Sequence, residues 1–265
     1  MNGIKWIGLV AICFSALSCS ITEPAKVLPP EENPLPIRVS TSRYYFSDRS
    51  SGQIYYRYDP QGNLLKKEWY TPNNELDFLE TFHYEKGKLV RIDRSEKNQP
   101  IAEARFTYAN DQVSQMEYWM YNQQGTLERK HTTQYEYQQG QMTKTTHQQE
   151  DGTPSYFSLY TYTNGNITKI KSYDLAQGNL VGESVFEYDG NPNQFYQQNA
   201  MYLGSPKFSS RNNVIRERTF STRSSPQTSE LAYAYSYNEK GYPTELFLIG
   251  QNQQRHLDES YTYVK

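Results

Sequence analysis

The chain has 265 residues, with 27 Lys and Arg against 29 Asp and Glu, and the resulting net charge of −2 leaves no basic surplus to hold DNA or RNA. Only 36% of the residues are hydrophobic, yet 15% are aromatic and 25 are tyrosine. That excludes the aromatic-poor composition of a disordered chain and makes tyrosine the main material of any core.

In chain order, Lys5 is the only charged side chain before an uncharged run from Trp6 to Leu17. The run suits the core of a secretory signal and falls short of the ~20 apolar residues of a membrane-spanning helix. Ala16-Leu17-Ser18-Cys19 resembles a lipobox, with Ala16 where such boxes usually carry leucine. The resemblance implies cleavage before Cys19 and its acylation; the competing reading is ordinary signal cleavage that leaves Cys19 a free thiol. Residues 1–18 are thus read as a signal peptide. Residues 19–36, with Pro24, Pro29, Pro30, Pro34 and Pro36, read as an extended tether. Ser20 stands where inner-membrane lipoproteins carry aspartate, so the resemblance implies an outer-membrane anchor. Cys13, the only other cysteine, lies inside the signal, which leaves no disulfide and no thiolate metal site.

From residue 37 to 265 a repeat sets the fold. An aromatic-x-Tyr signature recurs eight times: Tyr56/Tyr58, Phe82/Tyr84, Phe106/Tyr108, Tyr135/Tyr137, Tyr160/Tyr162, Phe186/Tyr188, Tyr235/Tyr237 and Tyr261/Tyr263. The steps run from 24 to 29 residues, with one of 49 that marks an insertion at 190–212. Within each unit aromatic and polar residues alternate, the period of a strand. A tight turn with glycine follows, as at Gly87-Lys88, and a returning strand opens on an aliphatic residue such as Leu64, Leu89, Val113, Met142 or Ile167. Ile37 to Phe46 reads as a returning strand that precedes the first signature. The expectation is all-β: an antiparallel up-and-down meander of about sixteen strands of ~9 residues, strongly curled or closed, as in a porin-like barrel. Polar faces such as Lys66-Lys67-Glu68 and a mean hydropathy of −0.89 point to a soluble body rather than a membrane-spanning one.

Tyr56-Arg57-Tyr58-Asp59-Pro60-Gln61-Gly62-Asn63-Leu64 looks like one unit of the tyrosine-aspartate (RHS) repeats, although only Tyr58-Asp59 and Tyr188-Asp189 keep the dipeptide. A closer resemblance is to a family of uncharacterised bacterial lipoproteins with a porin-like fold. It rests on Tyr188-Asp189-Gly190-Asn191-Pro192, Ser209-Ser210-Arg211-Asn212-Asn213-Val214 and Tyr237-Asn238-Glu239-Lys240-Gly241-Tyr242-Pro243. That family implies a fold and a compartment, with no catalytic residues to carry over.

The four histidines, His83, His131, His147 and His256, show no metal-ligand spacing, and no phosphate loop is present. Acidic neighbours such as Asp258-Glu259 are expected on opposite faces of a strand. No catalytic, metal or cofactor site is therefore assigned, and an enzyme is not expected. Two features stand out as candidate binding elements. Trp69-Tyr70 and Trp119-Met120-Tyr121, at the ends of returning strands, offer aromatic platforms for a sugar or peptide, unless the tryptophans cap the core. The insertion carries Phe195, Tyr196, Met201, Tyr202, Leu203 and Phe208, and is either a binding loop or a cover over an edge or core. The sequence thus predicts a non-catalytic, lipid-anchored envelope protein that binds a glycan or an envelope protein. The alternatives are a purely structural component, or a carbohydrate-active hydrolase or small pore.

Overall fold

The computed structural model describes residues 38–46, 48, 50–196, 202–222, 226–250 and 252–264. The predicted signal, Cys19 and the tether lie outside the described residues. The first half of the repeat array gives β1 (Val39–Tyr45), β2 (Ser51–Tyr58), β3 (Leu64–Tyr70), β4 (Leu76–Glu85), β5 (Lys88–Glu96), β6 (Gln99–Ala109), β7 (Gln112–Tyr121) and β8 (Leu127–Gln138). The second half gives β9 (Gln141–Gln149), β10 (Pro154–Thr163), β11 (Asn166–Asp174), β12 (Leu180–Pro192), β13 (Asn212–Ser221), β14 (Gln227–Tyr237), β15 (Pro243–Ile249) and β16 (Arg255–Tyr263). Every strand pairs antiparallel with its sequence neighbours, and β1 pairs with β16, so the sheet closes into a sixteen-stranded barrel. An even number of up-and-down strands permits this, because the first and last then run in opposite directions.

The two ends of the barrel differ. At one end the aromatic strands turn tightly into the returning strands. Lys86 and Gly87 have φ of 50° and 77°, and Asn110 and Asp111 reach 48° and 65° without a glycine. Positive φ at both central residues is the type I′ hairpin, whose twist matches that of the strands it joins. At the other end most turns are looser, as at Asn122–Gly125, where the Asn122 side-chain oxygen accepts from the Gln124 and Thr126 amides at 2.9 Å, although Lys97 and Asn98 between β5 and β6 form another tight turn.

Just past the tight turns the register skips. His83 faces Arg91 and Tyr84 faces Leu89, which leaves Val90 unpaired, and the same skip isolates Ser114, Thr143, Thr168 and Ile215. An unpaired residue of this kind is a β-bulge, and it changes which later side chains face inward. In returning strands the lumen therefore receives the opening residue and those three and five places on: Leu89, Ile92 and Arg94 in β5, and Val113, Met116 and Tyr118 in β7. Leu89, Ile92, Val113 and Met116 are all buried.

In five repeats the second tyrosine of the signature has a backbone partner one repeat upstream. The β3–β4 ladder stops at Lys66–Thr81, and the next carbonyl inward, that of Leu64, accepts the Tyr84 hydroxyl at 3.1 Å. Tyr58 donates likewise to Val39, Tyr108 to Leu89, Tyr188 to Ile167 and Tyr263 to Pro243. In the interrupted repeat the first tyrosine, Tyr235, does this to Val214. Each hydroxyl satisfies a main-chain acceptor where the ladder ends, and burial raises the hydroxyls of Tyr84 and Tyr188 to about 12.

The outer wall is laced with ion pairs. They include Arg57–Glu68 at 3.0 Å, Arg91–Asp93 at 2.8 Å, Lys144–Glu136 at 2.7 Å, Lys171–Glu183 at 3.3 Å and Arg218–Glu230 at 3.0 Å.

Candidate functional site

Between β12 and β13 the place of a tight turn is taken by the insertion, whose described residues fold into the barrel mouth as a plug. Its one helical turn, α1 (Pro206–Ser209), follows an extended Ser205. Phe195 is only 4% exposed. It sits among the rings of Phe208, Tyr261 and Tyr56 at centroid distances of 5.6, 5.7 and 6.4 Å. Tyr202 stacks on Phe208 at 4.5 Å. Polar contacts fix the plug to the wall. Lys207 Nζ lies 2.9 Å from Glu259 Oε1, and the Ile167 amide donates to Ser210 Oγ at 3.0 Å. Asn193 Nδ2 ties the plug to itself through the carbonyls of Lys207 and Ser210. At the base, Asp189 accepts from the Tyr237 hydroxyl and the Asn213 amide, which holds the two ends of the insertion together.

Beneath Tyr202 lies a buried charge cluster. Glu80, fully buried, accepts from Arg94 Nε and Nη2 at 3.1 and 2.8 Å and from the Tyr202 hydroxyl at 3.4 Å, and Lys67 Nζ is 3.7 Å from its other oxygen. The Lys67 ammonium also faces the rings of Trp69, Tyr202 and Tyr56 at 4.4, 5.5 and 5.7 Å. Burial lowers the Lys67 pKa against the opposing pull of Glu80. Every formal charge here meets an opposite charge or an aromatic face, as the low-dielectric interior demands.

On the far side of the plug the lumen is hollow. A cavity of about 540 Å³ is bounded by the plug residues Phe195 and Lys207 and by Glu217, Tyr233, Tyr235, Asp258 and Tyr261 on the wall. A second, of about 410 Å³, is lined by His147, Tyr156, Ser158, Ser172, Gly182 and Thr219, and reaches the loose-turn end at Ser221. Ile170 and Ser184 line both, so the two form one cup running from the loose-turn mouth to the plug. At that mouth Leu231, opposite Glu217, is 47% exposed.

The expectation that Asp258 and Glu259 point to opposite faces is overturned. Leu246 pairs with Glu259 and Phe247 with Leu257, so Asp258 is a bulge residue and both acids line lumen cavities. Their environments push them apart. Burial and the Glu259 charge raise the Asp258 carboxyl, whereas for Glu259 burial is outweighed by Lys207, which holds it low. Burial, then the charges of Glu217 and Asp258, raise the Tyr233 hydroxyl to about 12.

Of the residues singled out in the sequence, the structure brings three together. Trp69 and Phe195 line one small cavity of about 130 Å³, and Tyr202 shares the Lys67 ammonium with Trp69. Tyr196 lies on the opposite side of the plug, in a cleft with Leu203 and Arg211. Trp119 and Tyr121 are outside: Trp119 Nε1 donates to Glu117 at 3.2 Å with Arg105 over its ring, and Tyr121 donates to Glu103 at 3.2 Å. Tyr70 makes an edge contact with Tyr55 at 5.4 Å, on the wall away from the Trp69 ring. Met201 lies outside the described residues. Of the lumen carboxylates, Asp258 is singled out in the sequence only as half of an acidic pair on opposite faces, and Glu217 is not singled out there at all. Glu217 had a signal: it stands three places after Val214, a position that carries Ile92 and Met116 in other repeats.

The arrangement defines the class. This is a porin-like barrel, similar to the porin-like protein from Bacteroides uniformis ATCC 8492 at 14% identity and a TM-score of 0.54, with 85% of this chain and 98% of that one covered. It is equally similar to the porin-like protein from Bacteroides vulgatus ATCC 8482, at 11% identity and a TM-score of 0.57, over 86% and 99% of the two chains. A likeness to the TcdB2-TccC3 complex has a TM-score of 0.34, too slight to bear on the tyrosine-aspartate repeats. No family model matches the chain, and no curated protein does.

Proposed function

We propose that this chain is a non-catalytic envelope lipoprotein whose plugged barrel binds a glycan in its lumen. The observation that carries the reading is the continuous cup. Its larger cavity is within the ~300–1,000 Å³ of small-ligand sites, and its walls combine tyrosine faces with hydroxyls and carboxylates that fit a sugar's faces and edges. The signal, the lipobox at Cys19 and the Pro-rich tether support an anchored body. The ion-paired outer wall supports a body that stands in water rather than in lipid. The insertion, bonded into the mouth, supports a cover over the core more than a free binding loop or an open pore.

A glycan array on the purified protein tests the reading. Ser184→Trp, which fills the waist of the cup, is expected to abolish any glycan signal, whereas Trp119→Ala on the outer wall leaves it intact. Binding that depends on Trp119 and ignores Ser184 would sink the lumen reading. For a purely structural envelope component, both substitutions change stability alone.

A further inference from the structure

Building on the lumen-binding reading, we infer that the ligand of the cup is cationic: a glycan that carries free amino groups. Charge balance motivates this. Around the barrel, many carboxylates on the outer wall are matched by a basic neighbour, as in Glu68–Arg57, Glu136–Lys144, Glu183–Lys171 and Glu230–Arg218. The buried Glu80 and Glu259 also have theirs, in Arg94 and Lys207. Glu217 and Asp258 both line the larger cavity, and among the described residues neither makes an ion pair. Lys207, the ammonium at that cavity, is already held by Glu259. Among the described residues, the Glu217 carboxylate accepts a hydrogen bond from the Thr219 hydroxyl at 3.1 Å.

The surroundings give the charge a shape to recognise. Tyr233 and Tyr235 line the same cavity, and an ammonium is favoured where carboxylates and aromatic faces meet. The adjoining wall of β10 to β12 is cut back to Ser158, Ser172, Gly182 and Ser184, so space is left where β5 and β7 place Arg94 and Tyr118. Among the described residues no three His, Cys, Asp or Glu side chains converge on one metal position. An organic cation can meet both carboxylates and the tyrosine faces of the cavity.

Isothermal titration of the purified protein with the glucosamine disaccharide, its N-acetylated counterpart and spermidine tests the inference. The glucosamine disaccharide is expected to bind at least tenfold more tightly than the N-acetylated sugar. Glu217→Gln and Asp258→Asn are each expected to remove most of that preference while the folded sheet signal stays unchanged. Equal affinity for the two sugars overturns the charge inference and leaves the lumen glycan reading standing. Spermidine binding that depends on Glu217, with no sugar bound, keeps the charge inference and removes the glycan. Binding of none of the three overturns both.

Discussion

The Tyr108 hydroxyl, 2.9 Å from the Leu89 carbonyl, shows what the repeated tyrosine does that phenylalanine would not. Phe fills the same core space but leaves a main-chain acceptor unmet at the end of a ladder. Tyr108→Phe is expected to cost about 0.5–1.5 kcal/mol in urea unfolding, whereas Phe106→Tyr, at the buried signature position without such an acceptor, brings no matching gain. Glu80 is the other extreme. Removing its carboxylate strands Arg94 and Lys67 inside the barrel, so Glu80→Ala is expected to lose about 3–5 kcal/mol, measured by the same unfolding midpoint. The tyrosine period was legible in the chain because rings two residues apart must share a face. The charges of Lys67 and Glu217 are not legible as internal, because their parity depends on a bulge that periodicity alone does not reveal, whereas Glu80, two places before Phe82 on an unbroken ladder, shares its face by plain alternation.

Bulge and plug act at the scale of the element. Val90 is exposed to no partner strand position, so its side chain matters little while its presence lets Leu89 and Ile92, three places apart, share a face. Deleting Val90 keeps Leu89 opposite Tyr84 and Ile92 opposite Phe82 in a plain ladder, so the barrel is expected to fold with Ile92 and Arg94 still inside and only the local twist changed, and Val90→Ala stays within about 1 kcal/mol of the parent; far-ultraviolet circular dichroism and a thermal melt check both. The same count explains the tryptophans. Trp69 is five places after Leu64 and faces the lumen, but Trp119 is six after Val113 and faces out, so two motifs that look alike in sequence sit on opposite sides of the wall. The insertion was visible as a break in the period and as a cluster of large apolar groups, and those groups pack into the mouth. Its polar fastenings, Lys207–Glu259 and Tyr202–Glu80, join residues 52 and 122 apart, a pairing that no local pattern encodes. Phe195→Ala should open a cavity beside Tyr56 and Tyr261 and cost about 3–5 kcal/mol in the same melt.

For the whole molecule, a core made of tyrosine sets an alkaline limit. Burial raises the hydroxyls of Tyr84, Tyr137, Tyr188, Tyr202 and Tyr233 to about 12, against about 10 in an unfolded chain. With the folded pKa above the unfolded one, the stability they contribute is complete below about pH 10 and is lost as the pH rises towards about 12. Tyrosinate absorbance should therefore appear together with loss of the sheet signal. Ionisation of all 25 tyrosines while the sheet persists would contradict a buried aromatic core. The number and direction of the strands followed from the repeat count, and closure from its being even. The seam between β1 and β16 has a further, kinetic meaning. Every other pair is a neighbour in sequence and can zip as a local hairpin, whereas Ser42 must find Tyr261 across the full length of the array. Closing that seam is then the slow step of assembly, and until it happens the sheet has two bare edges open to the edges of other chains. A circular permutant with its ends joined across the seam and reopened at Gly140 is expected to relocate the slow step to the β8–β9 boundary, and the barrel it forms should be the same.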